Sequence, residues 1–184
     1  MSERDLSNAA YGSAEERKKV AEKHGMKVIH NTHEAAAYKH EKHKKIYVAH
    51  RGTAHKRDLS ADAAILFGLE KYHPRFKRAK RLQHKLEKEN PGYKFVTTGH
   101  SLGGALAQHA GKSKRVKKVV TFNKGSGLVE PFRVRARKQT DYTNVFDPVS
   151  LTSQFQRGGK IKRQIKVKKH PHTIHSSSGR QSRK

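Results

Sequence analysis

Residues Tyr93 to Ala110 read YKFVTTGHSLGGALAQHA. The first six are β-prone and follow Asn90-Pro91-Gly92, a turn signal, so Tyr93 to Thr98 predicts a strand. Leu102 to Ala110 predicts a short helix of small and aliphatic residues, and Val116 to Phe122 (VKKVVTF) predicts the next strand. Strand, helix and strand in that order form a β-α-β unit, whose strands run parallel and connect right-handedly. At the first join, Gly99-His100-Ser101-Leu102-Gly103 fits G-x-S-x-G. In that pattern a serine occupies a strained strand-to-helix turn, and glycines two residues to either side let the backbones close in. Ser101 is therefore the candidate nucleophile, and the Leu102 N–H at the helix start is a candidate oxyanion donor. The bland alternative is a glycine-rich turn that only packs a helix. Gly104 and Ala105, which permit tight helix-to-sheet packing, favour the first reading.

Outward from this unit, Ala14 to His24 (AEERKKVAEKH) predicts an opening helix with acids before bases, stopped at Gly25. Lys27 to His30, Ala35 to Lys39 and Lys45 to His50 predict two or three strands with a hairpin. Leu59 to Leu69 has helical spacing, and Pro74 opens a further helix with Phe76, Ala79, Leu82 and Leu86 on one apolar stripe. Val129 to Gln139 is basic and reads as irregular, Asp141 to Phe146 as a strand, and Ile161 to Val167 as an exposed strand. The expected fold class is α/β: α/β-hydrolase-like, with a small mixed, mainly parallel sheet flanked by helices. One domain over residues 1–176 and a basic flexible tail over 177–184 are expected.

The 184 residues include 42 Lys+Arg against 15 Asp+Glu, a formal charge of +27, with a pI of about 10.5 and mean hydropathy −0.98. Such a field attracts anionic partners without choosing among nucleic acid, an anionic membrane face or another polyanion. There is no zinc-finger spacing, no RNA-recognition aromatic motif and no Trp, so any nucleic-acid contact is expected to be nonspecific. The absence of Cys excludes disulfides, thiolate metal sites and cysteine nucleophiles, and leaves the redox compartment open. No cofactor or metal is expected. The start, MSERDLSNAA, lacks the basic-then-apolar pattern of a secretory signal, and no apolar run approaches the roughly 20 residues that span a bilayer. A soluble monomer, intracellular or virion-associated, is the expectation.

Val96 to Ala107 (VTTGHSLGGALA) resembles the nucleophile segment of the class 3 lipases, the fungal-lipase-like branch of the α/β-hydrolases, and other segments follow in the family's order. Val48 to Thr53 (VAHRGT) is similar to the segment that supplies the second oxyanion contact, here Thr53. Arg57 to Ala63 resembles the lid segment, and Val120 to Gly125 the strand after the nucleophile helix. Asn144 to Val149 (NVFDPV) resembles the triad-acid segment and points to Asp147, with Asp141 as fallback. His170 to Ser176 (HPHTIHS) is similar to the late histidine segment and points to His172 as base, with His175 as the alternative and His170 behind it. The resemblance implies a serine ester hydrolase of the lipase or esterase type, extending to phospholipase. Ser101, His172 and Asp147 would be its triad, and a lipid or small ester its substrate. Peripheral contact with anionic membrane is the address suggested by the charge. The competing expectation is an inactive, basic polyanion-binding protein on a hydrolase-like frame. Three departures bear on substrate: the lid-like residues 54–59 are polar, the insert before Phe76 is short, and Asn123-Lys124-Gly125 stands where many members have Gly-Ala-Pro.

Overall fold

A computed structural model describes residues 3–53, 73–125, 134–144, 155 and 157–164. The expected helix at 59–69, the lid-like segment and the tail lie outside the described residues. Two helices open the chain, α1 (Glu3–Ala9) and α2 (Ala14–Lys23). Ser13 caps α2: its hydroxyl accepts from the Glu16 N–H, while the Glu16 carboxylate accepts from the Ser13 N–H. Three strands follow: β1 (Lys27–Asn31), β2 (Ala35–His40) and β3 (Lys45–His50). The β-α-β core is α3 (Pro74–Glu89), β4 (Lys94–His100), α4 (Leu102–Ala110) and β5 (Val116–Phe122). Two more strands, β6 (Val134–Asn144) and β7 (Arg157–Gln164), complete it.

Spatial order equals chain order, β1-β2-β3-β4-β5-β6-β7. The pairs β1/β2 and β2/β3 are antiparallel, and every pair from β3/β4 onward is parallel. Because β3, β4 and β5 are added in one direction, a constant right-handed crossover puts α3 and α4 on the same face. Alternate residues of β3 divide between two cores, as the period of a strand requires. Ile46 and Val48 pack with Leu86, Phe95, Val116 and Val119 beneath α3, whereas Tyr47 and Ala49 pack with Leu6, Ala10, Ala21 and Val96 beneath α1 and α2. A strand buried on both faces reads as a continuous apolar run, which is why IYVA and FVTT carry no polar alternation.

Three observations revise the expectations. The helix α1 was not anticipated, because ERDLSNA is a weak helix former; buried Leu6 and Ser7 hold it against the sheet. The strand expected at 141–146 is β6, which starts at Val134, so most of the basic stretch read as irregular is strand. Its backbone pairs between β5 and β7, and ladder hydrogen bonds do not require an apolar side-chain pattern. The last strand likewise begins at Arg157 rather than Ile161, with Lys160 and Lys162 exposed on the sheet edge, where charge discourages further pairing.

Arg17 fastens the N-terminal layer. Only 4% exposed, it donates to the Ala9 carbonyl (3.2 Å), the Ala10 carbonyl (2.7 Å), the Thr32 carbonyl (2.7 Å) and Asn31 Oδ1. One guanidinium thus satisfies the end of α1 and the turn after β1. Arg17→Met keeps the length of the stem and orphans those carbonyls. It should lower unfolding free energy by about 3 kcal/mol, read as a drop in urea midpoint at unchanged slope.

Candidate active site

Ser101 joins β4 to α4 with φ 54° and ψ −128°, a backbone conformation that costs a non-glycine residue about 1–2 kcal/mol. Its neighbours over-determine that geometry. The Ser101 N–H donates to the Phe122 carbonyl (3.0 Å), and the Ser101 carbonyl accepts from the N–H groups of Gly104 (2.9 Å) and Gly125 (3.1 Å). Two of these three anchors lie at the end of β5. There Asn123 also has positive φ, donates its N–H to the Tyr142 carbonyl (2.8 Å) and accepts the Asn144 N–H on Oδ1 (2.9 Å). The turn is therefore held from the neighbouring strand, which is itself held from β6.

Glycine is required on both sides of the serine. A Cβ on Gly99 would overlap the Gly103 carbonyl and lie 2.8 Å from the Gly104 nitrogen; a Cβ on Gly103 would overlap the His50 carbonyl and lie 2.8 Å from the Gly52 nitrogen. The segment leaving β3 is thus pressed against the start of α4. Thr53, half-buried, follows Gly52 directly, so the two segments expected to supply oxyanion donors meet at the turn. Ser101 Oγ is buried, makes no side-chain cap to its helix and has no hydrogen-bond partner among the described residues. The first N–H groups of α4 have no intrahelical acceptor, and the helix dipole is positive there. A hydroxyl oxygen beside orphan donors at a helix N-terminus suits attack on a carbonyl whose oxygen becomes negative.

Two residues absent from the sequence reading position this site. Tyr11, between α1 and α2, donates its hydroxyl hydrogen to the His100 carbonyl (3.2 Å) and accepts the Gly52 N–H (3.1 Å). It therefore pins the exit of β3 to the residue preceding the nucleophile. Burial pushes its phenol up to about 12, against the opposing bond from Gly52, so it stays a neutral two-way linker. Arg75, at the start of α3, donates to the Arg51 carbonyl (2.7 Å) one residue away. Neither contact leaves a local signal, because the partners are 89, 41 and 24 residues apart in the chain. His100 packs in the interior, buried with its ring edge-on to Tyr11.

Asp147, His172 and the alternatives His175 and His170 lie outside the described residues. Asp141, the fallback acid, is engaged elsewhere: wholly buried, it accepts from Thr121 Oγ1 (2.7 Å) and Gln139 Nε2 (2.8 Å). Lys124 Nζ, equally buried, lies 4.0 Å from the other carboxylate oxygen and donates to Gln108 Oε1 of α4 (2.5 Å). This carboxylate balances a buried ammonium beneath α4. Phe76 and Leu86 are core residues, as expected. Among the described residues no group of three His, Asp or Glu side chains is placed to hold a metal ion, and no helix is long and apolar enough to cross a membrane.

A cavity of about 190 Å³ lies between the end of β3, the segment from β1 to β2, α3 and α4, lined by His30, Glu34, His50, Arg75, Leu82 and Leu106 among others. His50, whose carbonyl abuts Gly103, is 2% exposed, and its Nε2 has no partner among the described residues. Burial, reinforced by the Arg75 charge, pushes its imidazole down to about 4.

A model of the Tle-like phospholipase domain matches residues 4–162. Comparison with curated proteins finds no match. Among solved structures, the Rhizomucor miehei lipase propeptide complex is similar at TM-score 0.60 and 17% identity, over 88% of this chain and 66% of that one. Lip2 lipase from Yarrowia lipolytica is similar at TM-score 0.56 and 18% identity, over 88% and 76%. A triacylglycerol lipase from Penicillium expansum is similar at TM-score 0.54 and 19% identity, over 88% and 77%. At these identities the likeness is one of fold, the fungal-lipase-like α/β-hydrolase architecture.

Two outcomes follow from the site's packing. Gly103→Ala drives a methyl group into the His50 carbonyl and should cost more than about 2 kcal/mol in denaturant unfolding, with loss of the turn geometry. His50 gives a pH signature. The native chain keeps this imidazole neutral while the unfolded chain protonates near 6.5, so the unfolded state binds more protons between pH 6.5 and about 4. Stability should fall as pH drops through that window, by roughly 3 kcal/mol over its full width, and His50→Gln should flatten the slope of denaturation midpoint against pH.

Proposed function

Because the chain belongs to the Tle-like phospholipase domain family, we propose that it is a serine hydrolase cleaving carboxylic esters of lipids, phospholipids among them, with Ser101 as nucleophile. The observation that carries this reading is the Ser101 turn itself. A strained serine with a buried, unpartnered Oγ at a helix N-terminus is held by contacts from three strands. Strain of this kind clusters at functional sites, where the surrounding structure over-determines it, and this turn has both features.

A serine hydroxyl is a weak nucleophile at neutral pH, so an imidazole takes its proton as Oγ adds to the ester carbonyl. We assign that base to His172, with His175 as the alternative. The tetrahedral oxyanion is held by the N–H groups of Leu102 and Thr53, each lowering the barrier by about 3 kcal/mol. As the ester C–O bond breaks, the imidazolium returns its proton to the leaving alkoxide. Water, deprotonated by the same imidazole, then adds to the acyl carbon, and as the bond to Oγ breaks the imidazolium returns its proton to Ser101 and the carboxylate leaves. Asp147 orients the imidazole and stabilises its charged form. Chain geometry supports this set. Parallel β4, β6 and β7 all end at one edge of the sheet, Asp147 comes three residues after Asn144 at the end of β6, and His172 comes eight residues after Gln164 at the end of β7. A net charge of +27 disfavours an imidazolium, so the Asp147 carboxylate should carry more of its stabilisation than in a neutral homologue.

Fluorophosphonate labelling and turnover of a p-nitrophenyl short-chain ester test the proposal. Ser101→Ala should abolish labelling, and His172→Ala and Asp147→Asn should each lower kcat by about 10³-fold or more. His175→Ala should stay within about tenfold of the parent. Labelling that persists in Ser101→Ala removes the nucleophile assignment. Loss with His175→Ala but not His172→Ala transfers the base role. A phosphatidylcholine and triglyceride pair then distinguishes phospholipid from neutral lipid.

A further inference from the structure

At the end of the sheet opposite Ser101, three turns converge: residues 41–44 between β2 and β3, residues 90–93 between α3 and β4, and residues 111–115 between α4 and β5. Backbone hydrogen bonds join them into one surface, from the Lys94 N–H to the Lys44 carbonyl (3.0 Å) and from the Phe95 N–H to the Arg115 carbonyl (3.1 Å). Arg115 stiffens the same surface by donating to the carbonyls of Glu87, Asn90 (2.7 Å) and Tyr93 (3.0 Å). Lys42, Lys44, Lys45, Lys94, Lys112 and Lys114 project from it, all exposed and in no ion pair among the described residues. The nearby carboxylates are taken: Glu41 by Tyr93 and Lys39, and Glu89 by Lys85.

This crowding works against the fold. Lys45 and Lys94 are register partners on adjacent strands, where like charges destabilise the pair. Lys138 reaches in from β6 to donate to the Ser113 and Val116 carbonyls (both 2.8 Å), which adds a further cation. Its ammonium is held below the usual lysine range by burial and by Lys117.

We propose that this lysine surface binds the phosphate backbone of duplex nucleic acid, and that it faces away from the lipid substrate. Position decides between the two anionic partners. The seven residues of β4 separate Lys94 from Ser101, roughly 20 Å of extended chain, so a flat bilayer docked on the lysines would leave the nucleophile at the far end of the sheet from the lipid. Nor do the three turns offer anything to insert into lipid. The exposed large hydrophobics among the described residues are Ile29 and Phe155, and neither lies in them. Three strands spaced about 4.8 Å apart spread the ammonium groups over about 10 Å, within which duplex DNA presents several phosphates. Recognition would be electrostatic and blind to sequence, because flexible lysines act as point charges.

The test uses the full chain, a labelled duplex of about 30 base pairs as DNA and as RNA, and fluorescence anisotropy from about 50 to 200 mM salt. The triple variant Lys45→Ala/Lys94→Ala/Lys114→Ala should weaken binding at least tenfold at 100 mM salt and reduce the slope of log K against log salt by about 3. Its turnover of a soluble ester should be unchanged. A charge-matched triple on α2, Lys18→Ala/Lys19→Ala/Lys23→Ala, should cost far less. Patch dependence with either duplex supports the proposal. Equal losses from the two triples would overturn it by reducing the effect to net charge. Loss of binding to phosphatidylcholine/phosphatidylglycerol vesicles, with duplex binding intact, would overturn it in favour of a membrane. Because the readout is binding, a failure of the hydrolase assignment leaves this result untouched.

Discussion

Three backbones approach closer than side chains allow where Gly52 meets Gly103 and Gly103 meets Gly99. The rest of the molecule is arranged around that contact. It fixes how far β3 may run before turning, where α4 starts and the strained angle Ser101 must adopt. Polar pins then hold it from three sides. Tyr11 reaches across from the N-terminal layer, Arg75 from α3, and the Gly125 N–H from the far side of β5. An active turn needs such redundancy, because a displacement of 1 Å at a nucleophile costs far more rate than any single hydrogen bond costs stability.

The same economy governs the acids. In a chain with 42 basic residues and 15 acidic ones, several of the described carboxylates stand at joints. Glu34 bridges Arg75 and Arg78 across the cavity mouth, Glu87 accepts from Gln83 and Ser113 where α3 meets the turn before β5, and Asp5 meets His24 between α1 and the end of α2. Asp141 with Lys124 is the deepest of these. A buried pair of this kind contributes little net stability over a hydrophobic replacement, but losing one partner strands the other charge, so the two positions are coupled. That explains why a lysine can replace the small residues many class 3 lipases have after β5: α4 supplies Gln108 and β6 supplies Asp141 to receive it.

Much of the centre of the fold was legible because local chemistry and global packing agree there. GHSLGG, the acids-before-bases run from Ala14 to His24, and Pro74 followed by the Phe76, Ala79 and Leu86 stripe each point to the element that forms. Legibility failed where tertiary contacts overrule local preference. The weak helix α1 forms because Leu6 is buried and Arg17 closes its end, and the basic start of β6 becomes strand because β7 offers it backbone partners. In the candidate site, Ser101, Leu102 and Thr53 could be named from the motif and the family resemblance, because short segments carry them. Tyr11, His50 and Lys124 could not, since each acquires its role from residues distant in the chain.

The strictly sequential strand order has a consequence for how the chain is made. Each strand, as it leaves the ribosome, finds its partner already waiting at the sheet edge, and no strand must be threaded between two that have paired. The sheet can therefore grow by accretion during synthesis. Tyr11 is an exception to this neighbourly order: it is made early, yet its acceptor, the His100 carbonyl, is made 89 residues later. Until then the segment between α1 and α2 lacks one of its anchors, and the N-terminal layer rests on its apolar packing against β2 and β3 and on the Arg17 bonds.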